Sequence, residues 1–229
     1  KGWFGMIFQT GERVVFIGDS VTEYGHGKPV GEGLFEGVGS GYVRVVENFI
    51  NVFYPERTIR ISNTGISGNN ILDLKRRWQT DLLDLRPDWV SICIGINDVW
   101  RQFDSPALKE QHVEPEVYEE TYRELIERTL PQVKGIILMT PYYIEAQRED
   151  PMRRRMDTYA GITKKLAAEY GLICVDLQKA FDDFLEFRHS SFLAWDRVHP
   201  SPAGCFLMGT EFLRQTGFDF TRLNGAGKK

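Results

Sequence analysis

The chain has 229 residues, 42% of them hydrophobic and 26% charged, a balance that suits one large domain with a sizeable core spanning residues 1 to 229. Its net charge of -4, with both signs interspersed, excludes the basic footprint of a nucleic-acid binder. No apolar run reaches the roughly 18 residues of a membrane span, so neither nucleic acid nor membrane is an expected partner.

In chain order, the first element is the apolar run at residues 13 to 18, which delivers Gly18-Asp19-Ser20. Four more short runs rich in Val and Ile follow at residues 58 to 62, 88 to 94, 134 to 140 and 171 to 176. Each is too short for a helix and most lack strict alternation, as expected of strands buried on both faces of a parallel sheet. Between the first two lies "GYVRVVENFINVFYP", with Val43, Val46, Phe49, Ile50 and Phe53 near helical spacing and a stop at Pro55. "NNILDLKRRWQTDLLDLRP" repeats the pattern with Ile71, Leu74, Trp78, Leu82 and Leu85, with Asn69 as N-cap. Further helices are predicted over about residues 115 to 130 and 152 to 170, and a last one starting at Ser201-Pro202.

Strands alternating with helices predict a three-layer α/β/α fold around a flavodoxin-like, five-stranded parallel sheet with right-handed crossovers. The core is expected over about residues 13 to 215, and the tail at 224 to 229 is expected to be flexible. Two stretches read as long loops, "DVWRQFDSPALKEQHVEP" and "TPYYIEAQREDPMRRRM", and both follow strand C-terminal ends. That edge is where open α/β sheets bind ligands. Cys93, Cys174 and Cys205 are widely spaced and read as buried thiols of a reducing compartment. The first residues carry no signal-peptide pattern, so the expected location is the cytoplasm.

Four polar stretches fall at strand ends or before the last helix: Gly18-Asp19-Ser20, "NTGISGNN", "GINDVW" and "WDRVHPSPAG". Singly, each has a plain structural explanation. Ser20 suits a strand-end turn, Gly68 a positive φ, Asn97 an Asx-turn and His199 a helix start. Converging on one sheet edge, they have the makings of an active site. His26 is the rival base, in "GHGK" surroundings that read as flexible loop. Asp19 and Asp98 read as acceptors for backbone donors. As a carboxylate pair they lack the His or Cys company of a metal site, and no metal is expected.

These blocks, in this order, resemble those of the SGNH hydrolases, or GDSL esterases, across roughly residues 13 to 210. Within that family, "RPDWVSICIGINDVWRQFD", "VKGIILMTPYYIE" and "AWDRVHPSPAG" are most similar to bacterial acetyl-xylan esterases. The resemblance implies Ser20 as nucleophile, His199 as general base and Asp196 as its orienting partner. It implies an oxyanion hole from the Ser20 and Gly68 N–H groups and the Asn97 amide, and no cofactor. The implied activity is removal of acetyl groups from acetylated xylo-oligosaccharides or related sugars. A broad short-chain esterase, lysophospholipase or thioesterase on the same machinery is the alternative. Tyr24, Trp100, Tyr142 and Trp195, with Asp19 and Arg101, are the candidate substrate contacts. The charged loops argue against the broad apolar surface of a long-chain lipase. Glu145 and Arg153, Arg154 and Arg155 read as a salt-bridge network at a helix start. The resemblance also implies a ring-like homo-oligomer, for which Trp3, Phe4, Phe187 and Phe192 are exposed candidates.

Overall fold

The computed structural model describes residues 5–33, 35 and 37–222. Along these residues run β1 (Arg13–Gly18), α1 (Ser20–Glu23), β2 (Gly31–Glu32), α2 (Tyr42–Phe53), β3 (Arg60–Asn63), α3 (Ile71–Asp81) and β4 (Trp89–Cys93). They continue with α4 (Ile96–Asp104), α5 (Pro115–Thr129), β5 (Gly135–Met139), α6 (Pro151–Tyr170), β6 (Ile173–Val175), α7 (Leu177–Leu185) and α8 (Pro202–Gln215).

The sheet order is β2-β3-β1-β4-β5-β6, and the last five strands are parallel, as the apolar runs predict. The sheet is not purely five-stranded and parallel, however. The two-residue β2 joins its edge antiparallel to β3, pairing Gly31 with Asn63 and Glu32 with Ser62. Charge holds it there, because the Glu32 carboxylate takes hydrogen bonds from Arg13, Arg60 and the Ser62 hydroxyl.

Alternation along each strand splits the core in two. Val14 and Phe16 of β1 pack with Tyr42 and Val46 of α2, Phe181 of α7 and Phe212 of α8. Val15 and Ile17 face the other way, toward Leu74 and Trp78 of α3, Tyr122 of α5 and Tyr159 of α6. Every one of these side chains is fully buried, and each such apolar group contributes about 1.5–3 kcal/mol. Burial on both faces is why the strands read as unbroken apolar runs.

Helix ends follow local chemistry. α6 opens on Asp150, whose carboxylate accepts the Arg153 N–H, then Pro151, and closes on Gly171 with φ +64°. α8 opens on Ser201 and Pro202 as predicted. The cap of α3 is Asn70 and not Asn69: Asn70 accepts from the Leu72 and Asp73 N–H groups, and Asp73 answers as a capping box. Three helices were not expected from the sequence, the one-turn α1 among them. α4 replaces the start of the loop assigned after the third strand, burying Ile96 and Val99 at i and i+3. α7 buries Leu177 and Phe181 at i and i+4. The second stretch read as a long loop is one only from Thr140 to Asp150; its last six residues, Pro151 to Met156, form the first turns of α6. Its neighbouring charges pair among themselves: Arg153 with Asp157 and Asp182, Arg154 with Glu149, Arg155 with Glu114, and Glu145 with Arg197. All three cysteines are free thiols, Cys93 and Cys205 buried and Cys174 half-buried. No helix among the described residues is long and apolar enough to cross a membrane. Phe187 and Phe192 are exposed, whereas Trp3, Phe4 and the tail at 224 to 229 lie outside the described residues.

Candidate active site

β1 is flanked by β3 on one side and β4 on the other, and the chain leaves β1 toward the face covered by α2 but leaves β4 toward the opposite face, covered by α5. The crevice beyond the C-terminal ends of β1 and β4 is therefore a topological switch point, where such sheets bind ligands. Gly18 ends β1 because nothing larger fits: a Cβ there would lie 2.3 Å from the Cys93 carbonyl oxygen. Asp19 then caps α1 through the Val21 N–H, at 2.9 Å, and Ser20 occupies the first helical position.

Ser20 Oγ lies 2.9 Å from His199 Nε2, and His199 Nδ1 lies 2.6 Å from Asp196 Oδ2. The other oxygen of Asp196 accepts the Val198 and His199 backbone N–H groups at 2.9 and 2.8 Å. Arg197 takes φ +65° in this tight turn. Burial pushes the Asp196 carboxyl up, but the bonds from the His199 ring and these N–H groups outweigh it and hold it below its ordinary value. The arrangement can draw the serine proton onto an imidazole held in one tautomer. The Trp100 ring sits against His199, with centroids 5.8 Å apart.

Across the crevice, Gly68 has φ +81° and open space beside its Cα. Its loop is tied to α1 by Glu23, whose carboxylate accepts the Ser67 N–H at 3.0 Å and the Ser67 hydroxyl. Asn97, in the first turn of α4, donates one amide N–H to the Asn69 carbonyl at 3.0 Å, and Arg101 donates to its Oδ1 at 3.3 Å. Together these bonds fix which end of the amide faces the crevice, and leave a second N–H on Nδ2. Sequence reasoning passed over Glu23 and gave Asn69 only a capping role, whereas both act through loop geometry that no motif spells out.

A cleft of about 370 Å³ opens at this point, lined by Ser20, Glu23, Tyr24, Gly25, Ser67 and His199. A larger cleft of about 600 Å³ lies between α6 and α7, lined by the Arg153, Asp157 and Asp182 charges, and none of the site residues reaches it.

Several predicted contacts change on this evidence. Asp19 is 1% exposed and spends its carboxylate on the Val21 N–H, so it does not meet a ligand. Tyr142 is buried, packed on Phe181 at 4.5 Å with its hydroxyl on the Val198 carbonyl; it supports the histidine turn from beneath. Tyr24 lines the cleft while its hydroxyl donates to the Pro200 carbonyl. Arg101 pairs with Asp104, and Trp195 is 86% exposed beside the Asp196 turn. His26 is no flexible rival. It is buried, with Nδ1 2.6 Å from the Gly27 carbonyl oxygen and Nε2 2.7 Å from that of Gly65.

Asp98 points away from the crevice and accepts the Ile71 N–H at 3.1 Å, pinning the start of α3. Its Oδ2 is buried with no hydrogen-bond partner among the described residues. Burial pushes both Asp98 and Asp19 up to about 7. A carboxyl whose folded pKa lies above its unfolded value of 3.8 lends stability that is full below 3.8 and lost as pH rises through about 7. Thermal midpoints are thus expected to fall between pH 5 and 8. In Asp98→Asn, which cannot ionise, the fall should be smaller by about 3 °C or more, on about 1.4 kcal/mol per pKa unit. Parallel melts of the two proteins at both pH values check this, and equal falls would refute it.

Comparison with known proteins gives a consistent result. Residues 16–205 match the GDSL-like lipase/acylhydrolase family. The chain is 52% identical to an acetylxylan esterase of Geobacillus stearothermophilus over 213 residues, covering 93% of this chain and 97% of that protein. A crystal structure of that organism's acetylxylan esterase superposes with a TM-score of 0.91 at 52% identity, covering 92% of this chain and 96% of the other. An α/β hydrolase from the metagenome of Lake Arreo, Spain, matches with a TM-score of 0.91 at 50% identity, over 93% and 98% of the two chains. Solved forms of the Geobacillus esterase include catalytic mutants in which a serine, an aspartate and a histidine are each replaced by alanine. The three are spaced along that chain as Ser20, Asp196 and His199 are along this one.

Proposed function

The chain belongs to the GDSL-like lipase/acylhydrolase family, and from that premise we propose that it is a serine esterase removing acetyl groups from acetylated xylo-oligosaccharides. The observation that carries the reading is the unbroken line from Ser20 Oγ through the His199 ring to Asp196, beside a small open cleft.

In this reading Ser20 Oγ attacks the acetyl carbonyl while His199 Nε2 takes the hydroxyl proton. Asp196 holds Nδ1–H and stabilises the imidazolium that forms. Negative charge moves onto the carbonyl oxygen, where the Ser20 and Gly68 N–H groups and the free Asn97 amide N–H meet it without reorganising. Collapse breaks the bond to the sugar oxygen, which leaves with the proton from His199. Water then adds to acetyl-Ser20, giving its proton to the same imidazole, and acetate departs as the serine hydroxyl is restored.

The modest size of the cleft, about 370 Å³, supports a short acyl group. Acetate release from acetylated xylo-oligosaccharides is therefore expected to exceed hydrolysis of an octanoyl ester by at least about tenfold in kcat/KM, an extra methylene that the site cannot seat costing ~1 kcal/mol or more. A faster octanoyl ester would keep the serine machinery and exclude the sugar acetate as substrate.

A further inference from the structure

The polar side of α3 carries an arginine that no catalytic motif includes. The Arg77 side chain is only 12% exposed, and its guanidinium makes four hydrogen bonds. Nη2 donates to the Gly18 carbonyl at 2.9 Å, Nη1 to the Thr64 carbonyl at 2.6 Å and to Asp81 at 3.1 Å, and Nε to the Asn69 side-chain oxygen at 2.7 Å. Gly18 is the last residue of β1, two before Ser20. Thr64 follows β3 at the entry to the Gly68 loop, and Asn69 directly follows Gly68. The Asn69 carbonyl in turn accepts the Asn97 amide N–H at 3.0 Å.

We infer that Arg77 is a positioning residue for the oxyanion hole, locking the Ser20 strand end, the Gly68 loop and the Asn97 amide into one rigid frame. The inference rests on the serine-esterase reading of the site. A guanidinium suits the task because it is planar and presents its donors in a fixed fork, so bonds to three chain segments fix their mutual angles as well as their distances. Asp81 lies on α3 itself; of the three links to other segments only that to Asn69 ends on a side chain, while those to Gly18 and Thr64 grip main-chain carbonyls, which move with the N–H groups on the same segments. The Ile66 N–H also donates to the Gly18 carbonyl, at 3.1 Å, so loop and strand are already in contact and Arg77 sets their angle. Oxyanion donors lose their effect over fractions of an ångström, which is why a residue that touches no substrate can govern turnover.

The test is steady-state kinetics on acetyl esters with full-length Arg77→Ala, Arg77→Lys, Asn69→Ala and Ser20→Ala, each accompanied by an unfolding curve. Arg77→Ala is expected to lower kcat by about thirty- to a hundredfold with KM within about threefold, and added millimolar guanidinium should restore part of the loss. Arg77→Lys, which keeps the charge without the fork, should fall between. Arg76→Ala, removing a neighbouring charge that is 74% exposed, should turn over as wild type. An Arg77→Ala protein that melts earlier yet keeps its kcat would reduce Arg77 to a structural prop and overturn the inference. If Arg77→Ala does not fold, Asn69→Ala decides: it cuts one link and spares the carbonyl bonds, so kcat should drop about three- to tenfold, and an unchanged kcat overturns the inference. Wild-type turnover by Ser20→Ala would instead sink the esterase reading itself.

Discussion

Replacing Ser20 by alanine is expected to lower kcat/KM for acetyl esters by about four to six powers of ten. The hydroxyl supplies the atom that forms the acyl bond, and the 2.9 Å contact with His199 is the path by which its proton leaves. Without Oγ, the imidazole can activate only a water that the site was not built to place. What remains is the contribution of the N–H donors, which still lower the barrier for direct attack. Stability should barely change, because Ser20 is partly exposed at a helix start and its hydroxyl bonds only the half-exposed His199 ring. Acetate release measured beside a thermal melt checks both halves. A folded Ser20→Ala protein within tenfold of wild type would remove Ser20 from the chemistry.

Asn97→Ala comes next in size, with kcat expected to fall by about two to three powers of ten, or ~2.7–4 kcal/mol of lost oxyanion stabilisation. The amide is held at both ends, by Arg101 on Oδ1 and by the Asn69 carbonyl on Nδ2, so its remaining N–H is aimed before substrate arrives. Because the charge it meets exists only after attack begins, KM should move little and kcat should carry the loss. A rise in KM at constant kcat would instead make Asn97 a ground-state contact.

Much of this was legible in the sequence, and the gaps have physical reasons. The parallel strands announce themselves because both faces are buried, so Val and Ile need not alternate with polar residues. α5, α6 and α8 are framed by Pro115, Pro151 with Gly171, and Ser201-Pro202, whose backbone preferences act locally. β2 could not be read, since a two-residue strand owes its place to Glu32 meeting Arg13, Arg60 and Ser62 from distant parts of the chain. α4 hides its two buried apolar residues among polar and charged ones, and only the Ile96 and Val99 spacing betrays it. α7 did carry a signal in Leu177, Phe181 and Phe184, on one face at i, i+4 and i+7. In the site, Ser20, Asp196 and His199 were legible because they sit in two short blocks, the serine in one and the aspartate and histidine three residues apart in the other. Asp19 and Tyr142 show the limit of that reasoning. They adjoin the blocks in sequence, but their side chains turn inward, and neighbourhood along the chain says nothing about which way a side chain faces. Arg77 lies on an ordinary-looking polar helix face, and its importance emerges only when Gly18, Thr64 and Asn69 are brought to it.

Ser20 and His199 are 179 residues apart, and the turn that carries the histidine leads directly into α8, the last helix among the described residues. A polypeptide emerging from its N-terminus therefore displays the nucleophile long before its base exists, and the growing chain is chemically silent. Hydrolysis switches on only when the segment carrying Asp196 and His199 docks beside β1, so turnover reports the completion of the molecule. By the same logic, any local opening that lifts the start of α8 from the sheet extinguishes activity while most of the core remains intact.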